Sequence, residues 1–401
     1  MRAIMPAVNP KILTWARTTA GLGIEDAAQK LQLKDSKKAT AAEKLVAIEA
    51  GGPLSRSLLV RMAKQYRRPL LVFYLSDIPR ADKRGEDFRT LLETPPPERE
   101  AVVDALVRNI KARQSVLREA LVSEGDVAPL QFIASYSLRD SATKLAETIT
   151  RTLELNLQKY RTCQNQGEAF KYLRGCVERI GVFTVLAGNL GSHHTDLDTS
   201  AFRGFALSDE IAPFVVINDH DAKAAWSFTL MHEVAHLWLG VTGISGSNTE
   251  REIERFCNDA ASQILLPEAD LSARISPTTA ASQTELVARI DQVANDTKVS
   301  SRMVAYRLLR ANAISEAQFT SLSAVFFERW RMARENQRQA ARETEGGPSY
   351  YTVKRFKLGS ALLDTTKRML SSGELSTTQV GAVLGVRPLK VQTIFMTDQA
   401  A

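Results

Sequence analysis

Residues 229–239 read TLMHEVAHLWL, an H-E-x-x-H set inside an otherwise apolar run. Residues four apart on a helix share a face, so His232 and His236 can offer imidazole nitrogens to one cation with Glu233 beside them. That is the first half of a zinc hydrolase site. It constrains the fold, because such a site needs a packed and rigid helix to hold it.

The flanking residues supply that helix. The β-branched run 214–217, closed by the polar Asn218, Asp219, His220 and Asp221, reads as a buried strand. Ala225, Phe228, Leu230, Val234, Leu237 and Trp238 then recur at helical spacing over 224–239, and Gly240 and Gly243 stop the pattern. A catalytic zinc takes three protein ligands and keeps a fourth position for water. The next helix, expected over 248–266, offers Glu250, Glu252 and Glu254. Glu254 is preferred, because Asn258 lies one turn further on the same face and is placed to accept a hydrogen bond from a ligating His. Glu252 is the second choice.

These residues resemble a known family. The strand ending at Asn218, the run from Phe228 to His236, and ERFCN from Glu254 to Asn258 leading to Leu265, Leu266 and Pro267 look like the ImmA/IrrE zinc-dependent endopeptidases. Their pattern is H-E-x-x-H followed by E-x-x-A-N and a Leu-Leu-x-Pro-like helix end. The likeness spans about 141–270 and departs at Cys257, where Ala is usual; a buried Cys serves as a small apolar residue. The resemblance implies His232, His236 and Glu254 as Zn²⁺ ligands and Glu233 as general base. His220 and Tyr306 are candidates for stabilising the oxyanion. His193 and His194 sit in an expected loop and read as exposed side chains rather than ligands.

A chain of 401 residues exceeds one ordinary core and is expected to form several domains. The fold class expected is α+β, mostly helical, in five parts: a helix-turn-helix bundle over 1–80, a linker and long helix over 81–140, a small mixed-sheet zincin-like domain over 141–270, a helical helix-turn-helix-like region over 271–345 and a helical tail over 346–401. The net charge is +8 over residues 1–90, −8 over 91–270 and +7 over 271–401. Basic ends flank an acidic centre, which suits nucleic acid at the ends and excludes it from the peptidase core.

Short amphipathic segments over 11–20, 24–31, 40–50 and 54–66, followed by the apolar 68–75, read as a bundle of helices. With Trp15, Arg17, Leu31, Ile48 and Tyr66 they resemble the XRE (Cro/repressor-like) helix-turn-helix. That likeness implies a third helix in a DNA major groove, with Lys37, Lys38 and Lys44 near phosphates. The insert 34–40 is longer than usual, and the third helix lacks the Arg, Asn or Gln that reads base edges best.

Pro95, Pro96 and Pro97 lead into an amphipathic helix expected over 98–123, a spacer, a homodimer contact or plain core. Residues 299–311 suggest a second helix-turn-helix-like unit. After a linker at Gly346, Gly347 and Pro348, residues 377–386 show that cadence again. Cys163, Cys176 and Cys257 lack C-x-x-C spacing and read as reduced core thiols. With no signal-like segment and no membrane-length apolar run, a cytoplasmic protein is expected.

The function expected is a zinc endopeptidase fused to a DNA-binding-type domain. It would regulate transcription, or a stress, mobile-element or toxin–antitoxin response, by cleaving a helix-turn-helix repressor or a neighbouring-gene protein. Double-stranded DNA is a further partner. The rival is a DNA-binding antitoxin or repressor whose zinc fold is a scaffold with little proteolysis. Glu233 argues against that rival, since a ligand set has no use for a base.

Overall fold

The computed structural model describes residues 8–79, 97–125, 127–191, 195–240, 247–275, 282–343 and 349–396. Pro95, Pro96, His193, His194, Gly243, Gly346, Gly347 and Pro348, all named above, lie outside the described residues, as does the side chain of Glu250.

The chain opens with α1 (Pro10–Thr18), α2 (Ile24–Lys30), α3 (Ala41–Glu49) and α4 (Arg56–Gln65), closed by a 3-10 turn over Leu70–Tyr74. Each start has a local cause. Asn9 and Ser55 accept from the first turns of α1 and α4, and Thr40 forms a reciprocal capping box with Glu43 at α3. The apolar faces meet in a core of their own, which includes Ile12, Leu31, Leu45, Leu59, Tyr66 and Phe73. A buried ion pair, Arg17 Nε to Glu49 Oε1 at 2.8 Å, ties α1 to α3. Lys37 and Lys38 are exposed on the α2–α3 connection, whereas Lys44 is half-buried and its ammonium donates to the Lys34 carbonyl at 2.5 Å.

Next come α5 (Pro97–Glu124), α6 (Ala142–Thr152), α7 (Leu157–Arg161) and α8 (Gln166–Arg179), then β1 (Phe183–Leu186), β2 (Gly204–Leu207) and β3 (Phe214–Ile217). The strands form a mixed sheet in the order β1-β3-β2, with β1 parallel and β2 antiparallel to the central β3. All three are buried on both faces, which accounts for their apolar make-up, Thr184 being the one polar side chain among them. After the sheet follow α9 (Lys223–Leu239), α10 (Ser247–Leu265), α11 (Glu268–Arg274), α12 (Gln283–Thr297), α13 (Ser301–Arg310) and α14 (Glu316–Glu343). The chain closes with α15 (Tyr350–Leu358), α16 (Ser360–Ser372), α17 (Thr377–Leu384) and α18 (Val391–Met396). The mostly helical α+β layout with a small mixed sheet is as the sequence suggests. Among the described residues no helix is long and apolar enough to cross a membrane.

Two cores sandwich the sheet. One face, through Leu186, Ala206, Val215 and Ile217, packs on α8, α9 and α10, and this core continues into Val287 and Ile290 of α12 and Val304 and Leu308 of α13. This cluster of buried residues thus continues past position 270, with α13 packed against α10 and α12 against α13. The other face, through Phe183, Val185, Phe205, Phe214 and Val216, is covered by α5 and by Leu358, Leu362, Val380, Val383 and Ile394 of the last helices. Of the readings for the long helix, core packing is the one observed: Gln114 donates to the Leu207 and Ala212 carbonyls at 3.1 and 2.8 Å.

The last helices are held by chemistry as well as area. Arg174 and Glu178 form a buried pair at 2.8 Å on α8. Arg174 donates to the carbonyls of Thr184 and Phe356, and Glu178 Oε2 accepts from the Ser360 and Ala361 amides at 3.1 and 3.2 Å, capping α16 from outside. Gly359, at φ 82°, allows the backbone to pass directly over this pair.

Candidate metal centre

α9 is apolar nearly all round, and residues 229–238 are buried without interruption. Such a helix is stable only when enclosed, and β2 and β3 on one side with α8 and α10 on the other provide the enclosure. Its C-terminal carbonyls are satisfied from residues 134–136: the Ala134 and Tyr136 amides donate to Leu237 and Trp238 at 3.0 and 2.9 Å. Gly240 closes the helix at φ 62°.

His232 and His236 are each 1 % exposed, and their Nε2 atoms lie 3.0 Å apart. α10 crosses α9 and presents Glu254, whose carboxylate oxygens are 3.4 Å from each of these nitrogens. One ligand atom from each of His232, His236 and Glu254 falls within 4.8 Å of the others. Tetrahedral ligands with bonds near 2 Å stand about 3.3 Å from one another, so this donor set has the spacing of a zinc site. The chemistry agrees, since two imidazole nitrogens converging at 3.0 Å repel through their lone pairs unless a proton or a cation lies between them. Burial works to raise the Glu254 carboxyl, but the pull of His232 and His236, as charges and as hydrogen-bond donors, holds it well below the usual carboxylate range. Glu252, the second choice, is exposed. Asn258 is half-buried one turn beyond Glu254, and Cys257 is fully buried in the packed face of α10.

Glu233 is completely buried and abuts Gly204, the first residue of the edge strand β2. A Cβ at position 204 would stand 2.8 Å from Glu233 Oε1 and 2.6 Å from Thr229 Cγ2, so only glycine lets β2 approach the carboxylate this closely. Sequence reasoning passed over Gly204, although an isolated Gly in a strand pattern signals a close backbone approach.

Asn218 is another clamp whose role was not legible. Its amide donates to the Leu197 and Phe202 carbonyls at 3.2 and 3.0 Å and fixes the loop before β2. The two oxyanion candidates both have structural partners. His220 Nδ1 is 3.0 Å from the Leu197 carbonyl. Tyr306 donates to Asp259 at 2.6 Å, and burial, then Asp259, pushes its phenol upward. Asp259 also receives Arg310 at 2.7 Å, which locks α13 to α10.

Residues 186–309 match the family model described as Peptidase_M78, IrrE N-terminal-like domain. The match opens at the end of β1 and closes in α13, so it contains the whole centre; it starts later and runs further than the 141–270 read from motifs. It supports the likeness to the ImmA/IrrE family and points to a metallopeptidase kind of activity. No curated protein and no solved structure matches the chain.

Proposed function

We propose that this chain is a zinc-dependent endopeptidase that cleaves a helix-turn-helix repressor, or a neighbouring-gene protein, and so regulates transcription or a stress or mobile-element response. The observation that carries the reading is the enclosed Glu233, one residue from the His pair and pressed against the edge strand. Burying a carboxylate costs several kcal/mol unless a nearby charge compensates it. A ligand set alone would gain nothing from it.

His232, His236 and Glu254 would hold the zinc, and Asn258 would orient a ligating imidazole. Zinc, when bound, supplies Lewis-acid chemistry, lowering the pKa of a water it binds to about 7 and polarising a carbonyl. Glu233 takes the proton from the attacking water and later gives it to the leaving amine nitrogen. A substrate backbone pairing along β2 would be brought past Gly204 to this carboxylate, with main-chain hydrogen bonds supplying affinity.

The N-terminal bundle would contact double-stranded DNA through Lys37 and Lys38, with Lys44 steadying the connection that carries them. The test is Glu233→Gln, which keeps shape and removes the base: cleavage of a candidate repressor should fall by about a hundredfold or more while zinc per chain stays unchanged. Equal cleavage by both proteins would overturn the mechanism.

A further inference from the structure

On the sheet face away from α9, the helices α5, α15 and α17 border an open cavity of about 720 Å³, within the size range of small-molecule sites. Its lining is basic. Arg113 enters from α5, and Arg387 and Lys390 from the turn after α17, with Asn109 and Tyr350 on the walls and no carboxylate among the lining residues.

Arg113 lies against Gly385, where a side chain would collide with its guanidinium. Its Nε is shut from solvent without a hydrogen-bond partner among the described residues. Burial pushes Arg113 down to about 10, and burial together with the charges of Arg113 and Lys357 pushes the neighbouring Lys354 down to about 8. Among the described residues none of Arg113, Lys354, Arg387 or Lys390 is paired with an acid within salt-bridge distance. Gathering cations without acids costs free energy that an anionic ligand would recover.

The geometry points to a nucleotide site in this cavity, with phosphate groups held by Arg113, Arg387 and Lys390 and the base laid against the Tyr350 ring. Guanidinium groups match phosphate oxygens in paired hydrogen bonds, and an ammonium adds a point charge. Tyr350 is 65 % exposed and meets the Tyr351 ring in a T-shaped contact at 5.3 Å, which leaves ring surface open to a base. The cavity is larger than one phosphate requires, which makes room for the base and sugar. Because α5 and α17 both pack on the sheet, the ligand would brace the outer layer of the catalytic module, independently of the peptidase reading.

The full-length protein is titrated with ATP, pyrophosphate and adenosine by calorimetry, with thermal unfolding in parallel. ATP should bind, raise the melting temperature, and bind more tightly than pyrophosphate or adenosine. Arg387→Ala with Lys390→Ala, both exposed residues, should weaken ATP by at least about tenfold, and Tyr350→Ala should erase its advantage over pyrophosphate. Pyrophosphate binding as tightly as ATP would overturn the nucleotide assignment. Absence of ATP binding, or binding untouched by the double substitution, would overturn the site. In that event the cations serve only to complement the carbonyl end of α17, and their removal lowers the melting temperature without any ligand effect.

Discussion

The two ends of this chain are alike in composition and opposite in architecture. Both are basic and built of short helices, and both carry helix-turn-helix cadences in sequence. Yet the N-terminal bundle closes a core on itself, with Ile12, Leu45, Leu59 and Phe73 facing one another, whereas the C-terminal helices donate Leu358, Leu362, Val380 and Ile394 to the core beneath the sheet. Helical cadence therefore does not tell an appendage from a structural wall. What differs is where each apolar face finds its partner.

Deletion sharpens the contrast most. Removing residues 349–401 would strip every helix but α5 from one face of the sheet, and the protein should lose cooperative unfolding and precipitate. Removing residues 1–79 should leave zinc content and the main melting transition nearly unchanged. If calorimetry shows the two truncations equally harmful, the architectures are not opposite.

A smaller break removes one anchor. Glu178→Ala leaves Arg174 buried without its partner and the α16 amides uncapped, and should cost about 3–5 kcal/mol in denaturant unfolding. Leu59→Ala, in the other core, should cost about 2–5 kcal/mol but only in the N-terminal bundle, leaving the zinc-bound fraction intact. A single shared transition in both variants would show that the bundle and the sheet region unfold as one.

The gentlest test asks whether the separable end has a separate task. If Lys37 and Lys38 each neutralise a phosphate, duplex affinity should fall about twelvefold between about 50 and 200 mM salt. Lys37→Ala with Lys38→Ala should flatten that dependence without altering the sheet region. Affinity that ignores salt would remove DNA from the proposal and leave the bundle a protein-contact module.

Much was legible where causes are local. The apolar period of α9 and the stop of α10 before Pro267 placed those helix boundaries to within a residue or two. The choice of Glu254 over Glu252 followed the helical period, which places Asn258 one turn on, and the structure brings Glu254 to both imidazoles. The fate of α5 was not legible, because an amphipathic stripe states only that a face must be covered and not by what. Nor was Gly204, whose meaning depends on Glu233, a residue 29 positions away.

By itself, then, the sequence determined which segments are helices and strands, and which two imidazoles and which carboxylate share one turn of helix. Those outcomes rest on hydrogen bonds and side-chain spacing within a few residues of each other. Only the tertiary structure decided that α10 crosses α9 so that Glu254 completes the donor set, that α5 and the last four helices wall the sheet, and that β2 runs against Glu233. Such pairings join residues tens to hundreds of positions apart, and apolar burial, which drives them, is non-directional. The partners are then chosen by fit among all the surfaces the chain can bury.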